Sequence, residues 1–260
     1  MDKIFISELL TREELKKVIK ETGAGLEAIH FSISENLDHF DASSRTFEEN
    51  LAYWQHPALT FHGPFLDLIP VSFDSFIQEA TLKRFNQGYE AARHFGAEKI
   101  VYHSGMIPSV YMTIGWAERM VDFLNRFLPG KTGPFIVMEN HFDQVIELFE
   151  DIMKELDPRV REHFGFCLDI GHANCFSKEP VMDWVKRLGP WIRHIHIHDN
   201  DGTRDQHLAL GEGNMKIEDV LEAIIDYTEE RTWTIECSSY DAVMKSFDVW
   251  QKIMENAKAR

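Results

Sequence analysis

An eightfold alternation of short apolar runs with helix-patterned segments constrains the fold more than any other feature of this sequence. The runs, rich in β-branched and aromatic residues, lie at 3–7, 25–31, 58–65, 99–105, 134–141, 164–172, 192–199 and 233–239. Segments with apolar residues at i, i+3, i+4 and i+7 lie between them, at 11–22, 75–96, 118–128, 143–156 and 217–230. Near-continuous apolar strands that alternate with helices indicate a parallel sheet covered by helices. Eight repeats in 260 residues predict an α/β fold, one (β/α)8 TIM barrel domain spanning residues 1–260. A doubly wound open sheet is the alternative, but the first run is not followed by a Gly-rich phosphate loop.

Charge and cysteine content narrow the class of protein. With 27 Lys and Arg against 43 Asp and Glu, the formal net charge of −16 disfavours nucleic acid as a partner without excluding it. No apolar run approaches the roughly 20 residues that span a bilayer, and the N-terminus lacks the pattern of a secretion signal. Three scattered cysteines offer no disulfide framework or zinc CxxC pair. We therefore expect a cytoplasmic protein with no membrane partner.

Six of the apolar runs carry a side chain that can bind a metal close to the end of the strand. Barrel strands present their C-terminal ends to one mouth, so these six groups should converge there. Buried carboxylates that converge repel one another and lose hydration unless a cation compensates them. The pattern therefore predicts a divalent metal site formed by His62, His103, Glu139, Asp169, His196 and Glu236.

Strand periodicity predicts which way these side chains point. Because side chains alternate between faces, residues two positions before the six groups should also point into the barrel. The inward set is Thr60, Val101, Val137, Cys167, His194 and Thr234, and the outward set is Phe61, Tyr102, Met138, Leu168, Ile195 and Ile235. Successive inward positions lie about 6 to 7 Å apart, so His194, His196 and His198 cannot all bind one ion. We expect His196 to be the ligand, His194 to lie one layer below, and His198 to lie at the rim, where it supports a ligand or contacts the substrate.

Two further pairs have metal-ligand spacing. Asp169 and His172 form a D-x-x-H step just after a strand, which is also typical of a turn cap. Asp205 and His207, two residues apart, could hold one ion from an extended loop or simply be solvated.

The motifs FHGPF, VYHSG, MEN, CLDIGHA, HIHIHDNDGTRDQHLALGEGN and IEC resemble the xylose-isomerase-like TIM barrel superfamily. This superfamily includes sugar isomerases and epimerases and the endonuclease IV-like enzymes of AP endonuclease family 2. The resemblance to the isomerases implies one Mn, Mg, Co or Zn ion held by Glu139, Asp169, His196 and Glu236. The resemblance to endonuclease IV implies three zinc ions, with the additional ligands His62, His103, His172, Asp205 and His207.

Three functions follow from these residues. The first is a metal-dependent isomerase or epimerase of a small sugar or sugar acid, in which Glu139 and Glu236 remove and return a proton through an ene-diolate. The second is a trinuclear-zinc phosphodiesterase that cleaves DNA at abasic sites, and the third is a metal-stabilised barrel that binds a sugar without turnover. Residues 32–54 contain five acidic residues against one arginine, which favours a small polar substrate over DNA.

Further residues are predicted to contact the substrate. They are His198, Arg204, Phe65 and His30. No lysine lies beside the ligand strands at the mouth, which favours proton transfer over a hydride shift. The expected cofactor is zinc or manganese, as one to three ions. The sequence does not indicate which sugar is bound or what oligomer forms.

Overall fold

Eight parallel strands form a closed barrel in the computed structural model, which describes residues 3–259. Each strand pairs with the next along the chain, and the last pairs with the first. The strands are β1 Lys3–Ser7, β2 Gly25–Ala28, β3 Leu59–His62, β4 Lys99–His103, β5 Phe135–Glu139, β6 Phe164–Asp169, β7 Ile192–Ile197 and β8 Thr232–Ile235. The predicted TIM barrel is therefore confirmed, while the ends of the predicted domain at residues 1–2 and 260 lie outside the described residues.

Helices surround the barrel. They are α1 Arg12–Thr22, α2 Ser34–Asp38, α3 Phe40–Tyr53, α4 Ser75–His94, α5 Trp116–Phe127, α6 Glu147–Glu155, α7 Pro158–Arg161, α8 Ile170–Phe176, α9 Val181–Leu188, α10 Ile217–Tyr227 and α11 Tyr240–Lys258. Local chemistry sets their ends: Thr11 and Glu14 form a capping box that starts α1, and Gly23 ends it with a left-handed φ of 70°. No helix among residues 3–259 is long and apolar enough to cross a membrane.

The predicted alternation of strand side chains is confirmed. Val101, Val137 and Cys167 form a small apolar cluster of their own inside the barrel. The six residues predicted to face outward belong instead to the main core between the strands and the helices. Pairing in the sheet sets neighbouring strand ends level, with His103 opposite Glu139 and Asp169 opposite His196. The metal-competent groups therefore meet at the C-terminal mouth.

The strands end earlier than the apolar runs suggested. In β2 the run 25–31 leaves the sheet after Ala28 and continues as a 3-10 turn, His30–Ser32. The run 164–172 continues into α8 after Asp169, and the other long runs end in loop residues at the mouth, because an apolar pattern does not distinguish a strand from the buried segment that follows it. Residues 32–54 were predicted only to be acidic, and most of them form α2 and α3.

Candidate metal centre at the barrel mouth

Four predicted ligands meet around one point at the mouth, and we call them the central cluster: Glu139, Asp169, His196 and Glu236. Nδ1 of His196 lies 3.2 Å from Oε1 of Glu139 and 3.3 Å from Oε1 of Glu236. The same nitrogen lies 3.9 Å from Oδ2 of Asp169. All four side chains are buried. β5, β6 and β7 end in or just beyond the first three residues, and Glu236 directly follows β8.

Two histidines lie on one side of Glu139, and we call them the histidine pair: His62 and His103. Their Nε2 atoms lie 3.1 Å apart, and they lie 3.5 and 3.3 Å from Oε2 of Glu139, respectively. Nδ1 of His62 lies 3.0 Å from the carbonyl oxygen of Gly63, which can only accept a hydrogen bond. Nδ1 of His62 therefore donates to this carbonyl, and Nε2 faces the site.

A third group, the loop cluster, consists of His172, His198, Asp205 and His207. Oδ2 of Asp205 lies 3.3 Å from Nε2 of His172 and 3.0 Å from Nε2 of His207. The Nδ1 atoms of these two histidines donate to backbone carbonyls, that of Asn140 at 3.0 Å and that of Glu236 at 2.6 Å. Their Nε2 atoms therefore face Asp205, and each would offer a lone pair to a cation once its proton is released.

Backbone and amide contacts hold these ligands in place. The side-chain amide of Asn140 donates to the carbonyl of Asp169 and accepts from its N–H, at 3.0 and 2.9 Å, which fixes the end of β6. Asp199, after β7, accepts the N–H groups of Gly211 and Gly213 through Oδ2, both at 3.0 Å. Gly213 has no room for a side chain, since a Cβ would lie 2.2 Å from the Asn200 carbonyl oxygen. These contacts close the loop that carries Asp205 and His207.

The donor atoms fit a divalent cation. In several subsets of these groups, one nitrogen or carboxylate oxygen from each residue lies within 4.8 Å of the others. Oε2 of Glu139 and Oδ1 of Asp205 are buried, yet neither has a hydrogen-bond partner within residues 3–259. Buried carboxylate oxygens without partners are costly, and a cation beside each of them would compensate this cost. Mixed imidazole and carboxylate donors suit zinc, manganese or cobalt.

The charges of the site shift the pKa values of its groups. Burial opposes ionisation of Glu139, but His196 and His103 beside it hold its pKa well below the usual range. Burial, together with Glu139 and Asp169, raises the pKa of Glu236 despite the nearby His196. Burial lowers the tendency of His207 to protonate, but Asp205 and Glu236 outweigh it and raise its pKa to about 9.

Two residues at the site have no counterpart among the sequence predictions. Glu27 on β2 is fully buried beneath the central cluster, with Oε1 3.0 Å from Nε2 of His196. The feature of the sequence that could have identified Glu27 is an acidic residue inside the apolar run 25–31. His141 follows β5, and its ring centroid lies 4.7 Å from that of His103 and 4.8 Å from that of His172. Burial and the charges of these two histidines lower its pKa to about 3.

The predicted substrate contacts lie in different places. Phe65 packs beside the histidine pair, with its ring centroid 4.6 Å from that of His103. His198 is fully buried rather than at the rim, with Nε2 3.1 Å from Oδ1 of Asp169. Arg204 is exposed and makes no ion pair within the described part of the chain. His30 stacks on Phe47 of α3, at 5.4 Å between centroids, so its ring is turned toward the helix layer.

Several curated proteins share sequence with this chain. An uncharacterised protein of Methanocaldococcus jannaschii is 28% identical over 213 residues, which cover 76% of this chain and 70% of that protein. The fructoselysine 3-epimerase of Escherichia coli O157:H7 is 43% identical over 79 residues, which cover 30% of this chain and 27% of that enzyme.

Solved structures with the same fold include proteins related to sugar epimerases. A D-tagatose 3-epimerase-like protein matches with a TM-score of 0.75 and 24% identity, over 99% of this chain and 100% of its own. A Thermus thermophilus protein soaked with ZnCl2 matches with a TM-score of 0.72 and 25% identity, over 98% and 99% of the two chains. The family model described as a xylose isomerase-like TIM barrel matches residues 24–259. Because the match covers most of the chain and the barrel itself is closed, this protein belongs to the xylose isomerase-like TIM barrel family.

Proposed function

We propose that this protein is a divalent-metal-dependent epimerase or isomerase of a small sugar or sugar acid. One observation carries the proposal: Glu139 and Glu236 bring carboxylate oxygens to within 3.2 and 3.3 Å of the same nitrogen of His196. Their strands, β5 and β8, are separated by two others around the barrel. A substrate between these two carboxylates would present opposite faces of one carbon to them.

The two carboxylates are placed to move a proton. One removes the proton from the carbon beside the substrate carbonyl, which gives an ene-diolate, and the other returns a proton to the opposite face, so the centre inverts. Glu139, Asp169, His196 and Glu236 would hold a divalent cation, and its positive charge would stabilise negative charge on the substrate oxygens. Asp169 and His196 hold fixed positions at the ends of β6 and β7. The ring nitrogens of His62 and His103 are available to hydroxyl groups of the substrate.

The relatives support a sugar substrate. The fructoselysine 3-epimerase segment shares 43% of 79 residues with this chain, and the D-tagatose 3-epimerase-like structure shares its fold. We infer that Phe65 covers the substrate beside the histidine pair and that Arg204 lies at its outer entrance, whereas the ring of His30 packs on Phe47 and is not assigned to the substrate. His198 acts on the substrate only through Asp169 in this arrangement, since it is fully buried.

A second function is favoured by one specific observation. All nine residues that resemble the endonuclease IV ligand set converge at the mouth, in three adjoining groups. This arrangement would suit a trinuclear-zinc phosphodiesterase acting at abasic sites in DNA. Against it stand the net charge of −16 and the acidic segment 32–54, which would repel a polyanion beside the mouth.

The experiment combines metal analysis with two assays on the purified protein. Metal content per chain is measured first, and the zinc- and manganese-loaded forms are then incubated with a panel of ketoses in deuterated water and with a duplex containing an abasic site. We expect deuterium at the carbon beside the carbonyl of at least one sugar. Glu139→Gln and Glu236→Gln should each slow this exchange by about 100-fold or more.

The matched control is Glu49→Gln, which removes an exposed carboxylate from α3 and should leave exchange unchanged. Strand cleavage without exchange would reverse the assignment in favour of the phosphodiesterase. Sugar binding with neither reaction would support a binding protein and overturn both enzyme proposals.

A further inference from the structure

We propose that Glu27 is a positioning residue that holds the imidazole ring of His196 with Nδ1 facing the metal centre. This inference depends on the proposed function, because it assumes that the central cluster binds a cation. Glu27 lies on β2, one layer below the mouth, and its side chain is fully buried. It is therefore placed to orient a ligand rather than to meet the substrate.

One oxygen of Glu27 is fully occupied. Oε2 accepts from the hydroxyls of Thr60 and Thr234 at 3.0 and 2.9 Å. It also lies 2.9 Å from Nε2 of His194. Three donors leave this oxygen no capacity for another group, so Oε1 is the oxygen available to His196.

A directed chain of hydrogen bonds leads to His194 and favours a proton on its Nε2. The ammonium group of Lys99, which can only donate, lies 2.8 Å from Oγ1 of Thr232. Because that hydroxyl accepts from Lys99, its own proton is free to go to Nδ1 of His194, which lies 2.6 Å away. Nε2 of His194 then carries a proton that it can donate to Oε2 of Glu27, although Oγ1 of Thr234 also lies 2.9 Å from it. The chain begins at the N-terminal end of β4 and reaches the carboxylate beneath the metal centre.

The remaining contact orients His196. Nε2 of His196 lies 3.0 Å from Oε1 of Glu27, but the two groups are not aligned for a hydrogen bond. Both atoms are buried, and neither has a hydrogen-bond partner within residues 3–259, so their contact is a close electrostatic one. A carboxylate at this position favours the tautomer with the proton on Nε2. Nδ1 then keeps its lone pair, and this nitrogen is the one that lies among Glu139, Glu236 and Asp169.

The test is Glu27→Gln, which preserves the shape of the side chain and removes its charge. Zinc affinity is measured by competition with a chelator, and the nitrogen NMR shifts of His196 in the zinc-loaded protein show which ring nitrogen carries the proton. We expect zinc affinity to fall by about 10- to 100-fold and the Nε2-protonated form of His196 to lose its predominance. Glu8→Gln is the matched control, since Glu8 is a largely buried carboxylate that accepts from the N–H groups of Ile29 and His30, in the turn that follows β2.

A cobalt-loaded sample separates positioning from direct ligation. If Glu27 positions His196, the visible absorption bands of cobalt keep their wavelengths in Glu27→Gln while the affinity drops. A change in the wavelengths of these bands would indicate a different set of cobalt ligands. Glu27 would then be a ligand itself, which would overturn the inference. Unchanged zinc affinity in Glu27→Gln, with normal binding by the wild type, would overturn the inference alone. A wild-type protein that binds no divalent metal would overturn the proposed function and the inference with it.

A second variant covers the case in which Glu27→Gln does not fold. Thr232→Val removes the hydroxyl between Lys99 and His194 but leaves Glu27 and every candidate ligand in place. We expect zinc affinity to fall by a smaller factor than in Glu27→Gln, with a change in the protonated nitrogen of His194. Wild-type affinity together with an unchanged His194 tautomer would contradict the directed chain.

Discussion

Replacing Gly171 with alanine should disable the metal centre through His198. A Cβ atom on Gly171, in α8, would lie 2.0 Å from Cε1 of His198 and 2.5 Å from each ring nitrogen. Carbon atoms in contact prefer about 3.5 Å or more, so the ring would have to move by roughly 1.5 Å. His198 is fully buried and stacks on His207 at 4.1 Å between centroids, which leaves it no open space.

The cost has two sources. Overpacking of this kind destabilises a core by about 1 to 3 kcal/mol. Displacing the ring also breaks its contact with Asp169, at 3.1 Å, and a hydrogen bond to a charged group contributes about 1.5 to 3 kcal/mol. We expect the free energy of unfolding of the metal-free protein to fall by about 2 to 5 kcal/mol, and the melting temperature to fall by roughly 5 to 15 °C. Zinc affinity should fall by about 10- to 100-fold, because Asp169 loses the group that orients it.

Thermal unfolding in the presence of a chelator and zinc competition with a second chelator measure the two effects. The double variant Gly171→Ala with His198→Ala removes the ring that clashes, so it should be more stable than the sum of the two single changes predicts. A Gly171→Ala protein that melts within about 2 °C of the wild type and binds zinc equally well would refute the reasoning.

Three further outcomes follow from the structure. Zinc at 100 times its Kd should stabilise the wild type by about 2.7 kcal/mol, and Glu236→Gln should lose most of this gain in thermal melts; an absence of any zinc-dependent shift in the wild type would contradict the site. Burial raises the pKa of Glu8 to about 7, so the stability it contributes while neutral is fully present below about pH 4.5 and is lost as the pH rises through 7. Glu8→Gln should therefore gain about 1 to 2 kcal/mol over the wild type between pH 4.5 and pH 8 in urea unfolding, and a gap independent of pH would exclude this cause. Arg204→Ala should raise the KM for the sugar by about 10-fold with unchanged zinc affinity, whereas an unchanged KM would remove Arg204 from the substrate site.

The alternation of side chains between the two faces of a strand allowed much of this site to be predicted from the sequence. A period of two ties the direction of a strand's last residue to that of the residue two positions earlier, so the inward set at the six strand ends could be predicted together. The pairing of His103 with Glu139 and of Asp169 with His196 shows why the groups lie level. Closure of the barrel then brings together strands far apart in the chain.

The inward direction of Glu27 could not be predicted in the same way, because the apolar run does not show where β2 ends. The apolar run 25–31 suggested that β2 ends near His30, but the chain turns into a 3-10 helix after Ala28. Contacts such as Nδ1 of His207 with the Glu236 carbonyl join residues 29 positions apart, and no local pattern encodes them. Helix α3 was not predicted either, because much of its surface is polar and only Ser44, Phe47 and Leu51 are buried.

The histidine pair separates the two candidate reactions more sharply than the shared ligands do. The central cluster serves either reaction, because both use Glu139, Asp169, His196 and Glu236. His62 and His103 differ, since each needs a cation only in the trinuclear arrangement. Burial opposes protonation of His62, but the neighbouring Glu139 outweighs it and raises its pKa, whereas burial lowers the pKa of His103. One ring of this pair can therefore donate to the other across 3.1 Å without any cation between them. The histidine pair can then remain available to the hydroxyl groups of a sugar. Both reactions would use the same nine residues or a subset of them. The number of ions bound per chain therefore distinguishes proton transfer on a sugar from phosphodiester cleavage.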